Sequence, residues 1–173
     1  MIVYQKSFDL YHTVYRMIKL LAHFKEDGVI EIDRLRIWDY YLLYPNKMKE
    51  ITLKREEQDI KKIIKQFIVR PENTYEKVLN DRKIFEKIKP YQLTAIKCLA
   101  SYGIINKDYL TNNRITSISK GIFDKYSDDF KNLSIQEENT IKLLTSHFYK
   151  IPLTGINGLK SKTQLLESKY DAQ

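Results

Sequence analysis

The sequence predicts a mainly α-helical protein: a helical domain with a small β-hairpin, winged-helix-like in outline. Three observations carry that expectation. Five glycines and four prolines in 173 residues leave little material for long irregular loops or a turn-rich all-β architecture. Apolar side chains recur at helical spacing through most of the chain. Finally, residues 103–116 read as two short strands around the turn Thr111-Asn112-Asn113, directly after a helix, which is how a winged-helix unit ends.

The elements follow in order. Leu10, Tyr11, Val14, Ile18 and Leu21 form one apolar stripe, with Arg16, Lys19 and His23 elsewhere on the wheel. This predicts a helix from about Ser7, its natural N-cap, to Lys25, stopped by Gly28. Val29, Ile30 and Ile32 read as a short extended segment that delivers Asp33 as the N-cap of the next helix. Met48, Ile51 and Leu53 alternate with polar residues, as in a loop or a short edge strand. A helix over 55–69 is expected from Ile60, Ile63, Ile64 and Phe67.

Residues 70–74, Arg-Pro-Glu-Asn-Thr, break the pattern. They suggest an N-terminal helical lobe over 1–70 and a winged-helix-like lobe over 75–150, with a docking tail over 151–173; one compact domain, 1–173, is the alternative. A helix near Tyr75 to Lys87 opens the second half, and Pro90 suits the first turn of another that buries Leu93, Ile96, Leu99 and Ala100. Ser134 and Glu137 have capping-box spacing and start a helix that turns Ile141, Leu144 and Phe148 inward. Beyond Ile151-Pro152, Leu159, Leu165 and Leu166 mark a last amphipathic segment, suited to docking on its own core or on a partner.

Between Asp33 and Pro45 lies the most informative stretch. After Asp33, Arg34 and Arg36, it carries Ile37, the single tryptophan Trp38, Tyr40, Tyr41, Leu42, Leu43 and Tyr44, interrupted only by Asp39. A helix apolar all round must be buried all round, either as the centre of the fold or as the face of an obligate partner. Arg34 and Arg36 sit poorly with the positive end of the helix dipole, and Asp39 is the nearest internal counter-charge, at i+3 from Arg36. Were both arginines to meet an acidic patch on another chain, they would anchor an interface of the Arg, Trp and Tyr types enriched at hot spots. The candidate partner-binding set is therefore Arg34, Arg36, Trp38, Asp39, Tyr40 and Tyr44, with Trp38 and Leu42 also serving the chain's own core.

A net charge of +8 and a pI near 9.3 point to nucleic acid, an acidic protein surface or an anionic membrane. The densest basic set is Lys47, Lys49, Lys54, Arg55, Lys61, Lys62 and Lys65, diluted by Glu50, Glu56, Glu57 and Asp59. Phosphate contact and an ordinary solvated face are both open there, since no aromatic is interleaved for base stacking.

No catalytic pattern emerges. His12, His23 and His147 lack metal-site spacing, and the one cysteine, Cys98, falls within a helix without a histidine near it in sequence. No glycine-rich phosphate loop occurs, so no nucleotide or other cofactor is expected. The longest apolar run, Tyr40 to Tyr44, is far too short to span a membrane, and the N-terminus lacks signal-peptide character. With a single cysteine, a reducing cytoplasm is the expected home.

A family resemblance adds to this reading. Phe8-Asp9-Leu10-Tyr11-His12, Asp33-Arg34-Leu35-Arg36-Ile37-Trp38-Asp39, Lys87-Ile88-Lys89-Pro90-Tyr91-Gln92, Ala100-Ser101-Tyr102-Gly103-Ile104-Ile105 and Glu167-Ser168-Lys169-Tyr170 together resemble the small middle-component proteins of bacterial ABC-three-component systems. The resemblance implies a subunit that accompanies a large SMC-like ABC ATPase and a variable effector, often a nuclease, in defence systems that include the Lamassu type. On that basis the expected function is a non-catalytic accessory subunit that binds the ATPase and bridges it to the effector in an anti-phage or anti-plasmid complex. Non-specific DNA contact within the complex is compatible with it, and membrane attachment is not expected. The alternative is a DNA-binding winged-helix transcriptional regulator.

Overall fold

The computed structural model describes residues 6–25, 28–68, 80–115, 121 and 133–166. The chain divides into two compact units, each built from two chain segments: 1–39 with 86–132, and 40–85 with 133–173. This division interleaves the chain, where composition suggested consecutive lobes; the expected boundary at 70–74 lies outside the described residues.

In the first unit, helix α1 runs from Leu10 to His23 after a short 3-10 turn at Lys6–Phe8. Its N-cap is Asp9, whose carboxylate accepts the His12 amide at 2.8 Å, while Ser7, the expected cap, is buried in the preceding turn. Asp prevails because its oxygen meets an orphan amide of the first turn. The buried line of α1 is Thr13, Met17, Leu20 and Leu21, continued by Phe24. Of the stripe expected from sequence, Leu21 is buried, Leu10, Val14 and Ile18 are half-buried, and Tyr11 is 86% exposed.

Strand β1, Ile30–Glu31, pairs antiparallel with β2, Arg114–Ile115, with Ile30 opposite Ile115. The small antiparallel sheet is thus present, but its strands come from distant parts of the chain. No local hairpin forms around Thr111-Asn112-Asn113: Lys107–Asn112 winds as a 3-10 helix, opened by the Asn106 side chain on the Asp108 amide at 2.9 Å. Asn113 takes the left-handed conformation at φ 55° and turns the chain into β2. The sequence reading missed this because Asn-rich turn chemistry serves a helix end as well as a hairpin.

Helix α2 spans Ile32–Leu43, so Asp33 lies in its first turn and not at the N-cap. Pro45 ends it by forcing the preceding Tyr44 out of helical geometry, to φ −124° and ψ 69°. Its first eight residues belong to the first unit and its last four to the second.

Asp81–Ser101 forms one helix, α4, where two were expected; residues 75–79 lie outside the description. Pro90 sits in its interior, although an interior proline costs about 3 kcal/mol. Two features offset that cost. Pro90 and Glu86 are both exposed, so water can serve the carbonyl that loses its partner; Phe85, Ile88, Gln92, Ala95, Ile96 and Leu99 recur at three- and four-residue intervals and are all buried. The helix closes in a Schellman motif: Gly103, at φ 70°, donates to Ala100 and Ile104 donates to Leu99.

In the second unit, Pro45–Glu50 is a 3-10 turn, and the possible edge strand at 48–53 does not form. Helix α3, Gln58–Phe67, follows a 3-10 turn at Arg55–Glu57 and buries Ile64. Helix α5, Ile135–Lys142, has the expected capping box, with the Glu137 amide on Ser134 Oγ at 3.2 Å and the Ser134 amide on Glu137 Oε2 at 3.1 Å. Leu143–Phe148 then widens into a π-helix, where Thr145 and Ser146 hydroxyls bond back to the Ile141 and Lys142 carbonyls. Ile141, Leu144 and Phe148 are buried, as the spacing predicted.

Leu159–Thr163 forms helix α6, and the last amphipathic segment docks on its own unit, with Leu159 and Leu165 buried. Gly158 is required there, since a Cβ would stand 2.2 Å from the Thr154 carbonyl oxygen.

Candidate functional site

Every residue of α2 from Arg34 to Leu42 is buried, so the helix read as apolar all round is enclosed all round. Two different kinds of contact enclose it. In the first unit the contacts are polar. Arg34, 4% exposed, donates from Nε to Glu31 Oε2 at 2.6 Å. Arg36, 3% exposed, donates from Nη1 to Asp33 Oδ1 at 3.0 Å and from Nε to Gln92 Oε1 at 3.1 Å. Asp33 and Glu31 thus relieve the unfavourable placement of two arginines near a helix N-terminus.

Asp39 does not pair with Arg36. It accepts Arg16 Nε at 2.7 Å and Nη2 at 3.2 Å, a bidentate bond from α1, and Gln92 Nε2 at 2.9 Å from α4. Gln92 Nε2 also donates to the Arg36 carbonyl at 3.1 Å, so its oxygen and nitrogen are both engaged on α2. Arg16, Asp39, Gln92, Arg36 and Asp33 form one continuous network across three helices. Trp38, fully buried, lies beside it with its ring centroid 6.0 Å from that of Phe24.

Along the last turn of α2, in the second unit, the contacts are aromatic. The Tyr40 ring stands edge-on to Tyr41 at 5.4 Å and to Phe85 at 5.8 Å, and lies 5.2 Å from Tyr44. Burial, with the Asp81 carboxylate second, pushes the Tyr40 phenol well above the usual tyrosine range; burial, then Asp81 and Glu50, does the same to Tyr41. Lys47 spans Glu50 at 3.0 Å and Asp81 at 3.2 Å. Desolvation opposes its charge, but the two carboxylates outweigh it and hold its ammonium above the ordinary value.

The remaining basic residues stay outside. Lys49, Lys54, Arg55, Lys61, Lys62 and Lys65 are exposed; Lys62 lies 3.6 Å from Asp59. On α3, Lys61 and Lys65 fall four residues apart on the outer face. Lys47, by contrast, is drawn into the pairs just described.

A family model, ABC-three component system Middle Component 5, matches residues 2–171. The chain belongs to that family. A middle component is one part of a multi-component system, so it works with protein partners. No curated protein and no solved structure gives a significant match. Among the described residues, this middle component has no group of three or more His, Cys, Asp or Glu side chains placed to hold a metal ion, and no helix long and apolar enough to cross a membrane.

Of the six candidate partner residues, five (Arg34, Arg36, Trp38, Asp39 and Tyr40) are buried within the chain and Tyr44 is half-buried. Sequence reasoning missed Gln92 and the inward turn of Arg16. A glutamine between buried Ile88 and Ala95 at helical spacing is the signal that could have found the first. It also missed Lys162, whose ammonium is buried against Glu57 at 2.5 Å while Glu57 caps the Lys54 amide at 2.7 Å.

Proposed function

We propose that the chain is a non-catalytic accessory subunit that binds an SMC-like ABC ATPase and bridges it to an effector in a cytoplasmic, Lamassu-like bacterial defence complex. The observation that carries this reading is the family match over residues 2–171, essentially the whole chain. The interior chemistry supports it: Arg16, Asp39, Gln92, Arg36, Lys162 and Glu57 are each engaged in intrachain bonds, as structural side chains are. Co-expression with the other two components and affinity purification through this chain tests it. The expected result is a stoichiometric complex that contains the ATPase; a monomer that retains neither component overturns the proposal.

The regulator reading has one observation in its favour, the exposed lysines of α3. It is weakened by residues 103–115, which do not form the local hairpin a wing requires. A gel shift of the isolated chain across a salt series separates the two. Sequence-specific binding at physiological salt would favour the regulator, and weak salt-labile binding the subunit.

A further inference from the structure

Residues 47–66 carry seven cations against four anions, and the fold sorts them into paired and unpaired sets. Glu50 is taken by Lys47 at 3.0 Å, Asp59 by Lys62 at 3.6 Å, and Glu57 by Lys162, with Lys54 beside it. Glu56 is left to face Lys49, Arg55, Lys61 and Lys65. All four cations are exposed, and none of their side chains has an ion-pair or hydrogen-bond partner among the described residues.

Local structure lines up three of them. Lys61 and Lys65 lie four residues apart on α3, and exposed Gln58 heads the same stripe. Arg55 precedes Gln58 by three residues, in the 3-10 turn that runs directly into the helix. From Arg55 to Lys65 the stripe is roughly 15 Å long. Lys49 stands on the turn Pro45–Glu50, which packs against α3. The other side of α3 is occupied: Ile64 is buried and Ile60, Ile63 and Phe67 are half-buried, with α5 and the Pro45–Glu50 turn packed against the helix.

The make-up of this face selects its occupant. A protein interface has an apolar core inside its polar rim, yet no large apolar side chain of residues 47–66 is exposed. A helix lying on a membrane gives its apolar side to lipid, and that of α3 is turned into its own unit. Single strands are held by stacking on aromatic rings, and residues 47–66 contain none. What the face offers is free cations with Thr52, Gln58 and Gln66 exposed beside them, the set that contacts phosphate and sugar without reading bases.

We infer that the outer face of α3, carried by Arg55, Lys61 and Lys65 with Lys49 beside it, binds the phosphate backbone of a nucleic-acid duplex without sequence preference. The inference goes beyond the subunit reading and does not depend on which protein the chain meets.

Anisotropy titration of a fluorescent DNA duplex with the full chain tests it. Wild type should bind two duplexes of unrelated sequence equally, with log K falling against log salt at a slope of about −3 to −4, as three to four neutralised phosphates require. Arg55→Gln/Lys61→Gln/Lys65→Gln should weaken binding about tenfold or more at low salt and reduce that slope by about 2 to 3, with the melting temperature unchanged. Lys61→Arg/Lys65→Arg, which keeps the charge, should bind as wild type does. Lys83→Gln/Lys87→Gln/Lys97→Gln removes the same charge from exposed positions of α4 and should weaken binding only about twofold. An equal loss in the α4 variant, no loss in the α3 variant, preference for one duplex over the other, or no wild-type binding at low salt overturns the inference. Tighter binding to a single-stranded oligonucleotide or to phosphatidylserine vesicles reassigns the face and overturns it equally. The subunit reading fails separately: a wild type that retains neither other component in co-purification can still bind the duplex. Loss of those components from the α3 variant alone gives the face to a protein and overturns the inference.

Discussion

Helix α2 is buried from Arg34 to Leu42, yet its two parts are buried by opposite means. From Arg34 to Asp39, charged side chains are enclosed and each finds a counter-charge or an amide. From Tyr40 to Tyr44, the enclosure is a cluster of rings with Phe85. The difference teaches where specificity resides. Aromatic packing tolerates exchange of similar shapes, whereas a buried charge network fixes which helices meet and in what register, because any member left without its partner is strongly penalised.

That comparison sets the scale of the expected mutational effects. The largest belongs to Asp39→Ala, which strands the Arg16 guanidinium and one Gln92 donor; a loss of about 3–5 kcal/mol is expected, read as a lower denaturation midpoint. If Asp39→Ala costs no more than the tyrosine change below, the contrast between the two parts of α2 collapses. Reversal of Arg34 or Arg36 to Glu belongs to the same class, since each new carboxylate would face Glu31 or Asp33. With both arginines buried, loss of the helical circular dichroism of the isolated chain is expected.

Glu57→Gln sharpens the comparison by weakening an ion pair that is only partly enclosed, with Glu57 22% exposed. The expected cost is about 1–2 kcal/mol. Burial raises the Glu57 carboxyl, but hydrogen bonds from Lys162 and the Lys54 amide outweigh it and hold the group below its ordinary value of 4.5. A depressed carboxylate stabilises fully above that ordinary value, and the contribution is lost as pH falls through the folded value. Stability of the wild type should therefore drop below pH 4.5 more steeply than that of Glu57→Gln, and parallel acid limbs would refute the assignment.

Tyr40→Phe retains the ring and removes a buried hydroxyl that has no hydrogen-bond partner among the described residues, so a change of no more than about 1 kcal/mol, in the stabilising direction, is expected. Because the Tyr40 and Tyr41 phenols are raised in the folded chain, their stabilising effect is full below the ordinary value near 10.0 and declines as pH rises above it. Ultraviolet titration should show these two ionising only as the protein unfolds in alkali. The smallest effect is on the outside: replacing Lys61, Lys62 and Lys65 with Gln should change stability by about 0.5 kcal/mol or less in thermal melts.

Much of the fold was legible from the residues in order. The mainly helical class, the burial of α2 from Arg34 to Leu42, the capping box at Ser134 and the inward set Ile141, Leu144 and Phe148 all follow from spacing and local hydrogen bonding. Local signals misled where a distant segment competed. Pro90 was read as a helix start because its cost is local, while the buried positions on both sides that carry α4 through it are spread over many turns. In α1, periodicity reports an apolar arc without reporting what covers it, and Tyr11 in that arc is exposed.

The sequence by itself determined that this chain is helical, that the stretch centred on Trp38 is buried, and that it resembles a middle component, since each depends on residue types at short spacing. Only the tertiary structure decided the partners: Ile30 with Ile115, Arg16 with Asp39, and Gln92 with both Arg36 and Asp39. Those pairs join residues 23 to 85 positions apart. No spacing rule reaches that far, because what selects such a pair is the cost of leaving a charge or backbone group buried alone once the helices have packed.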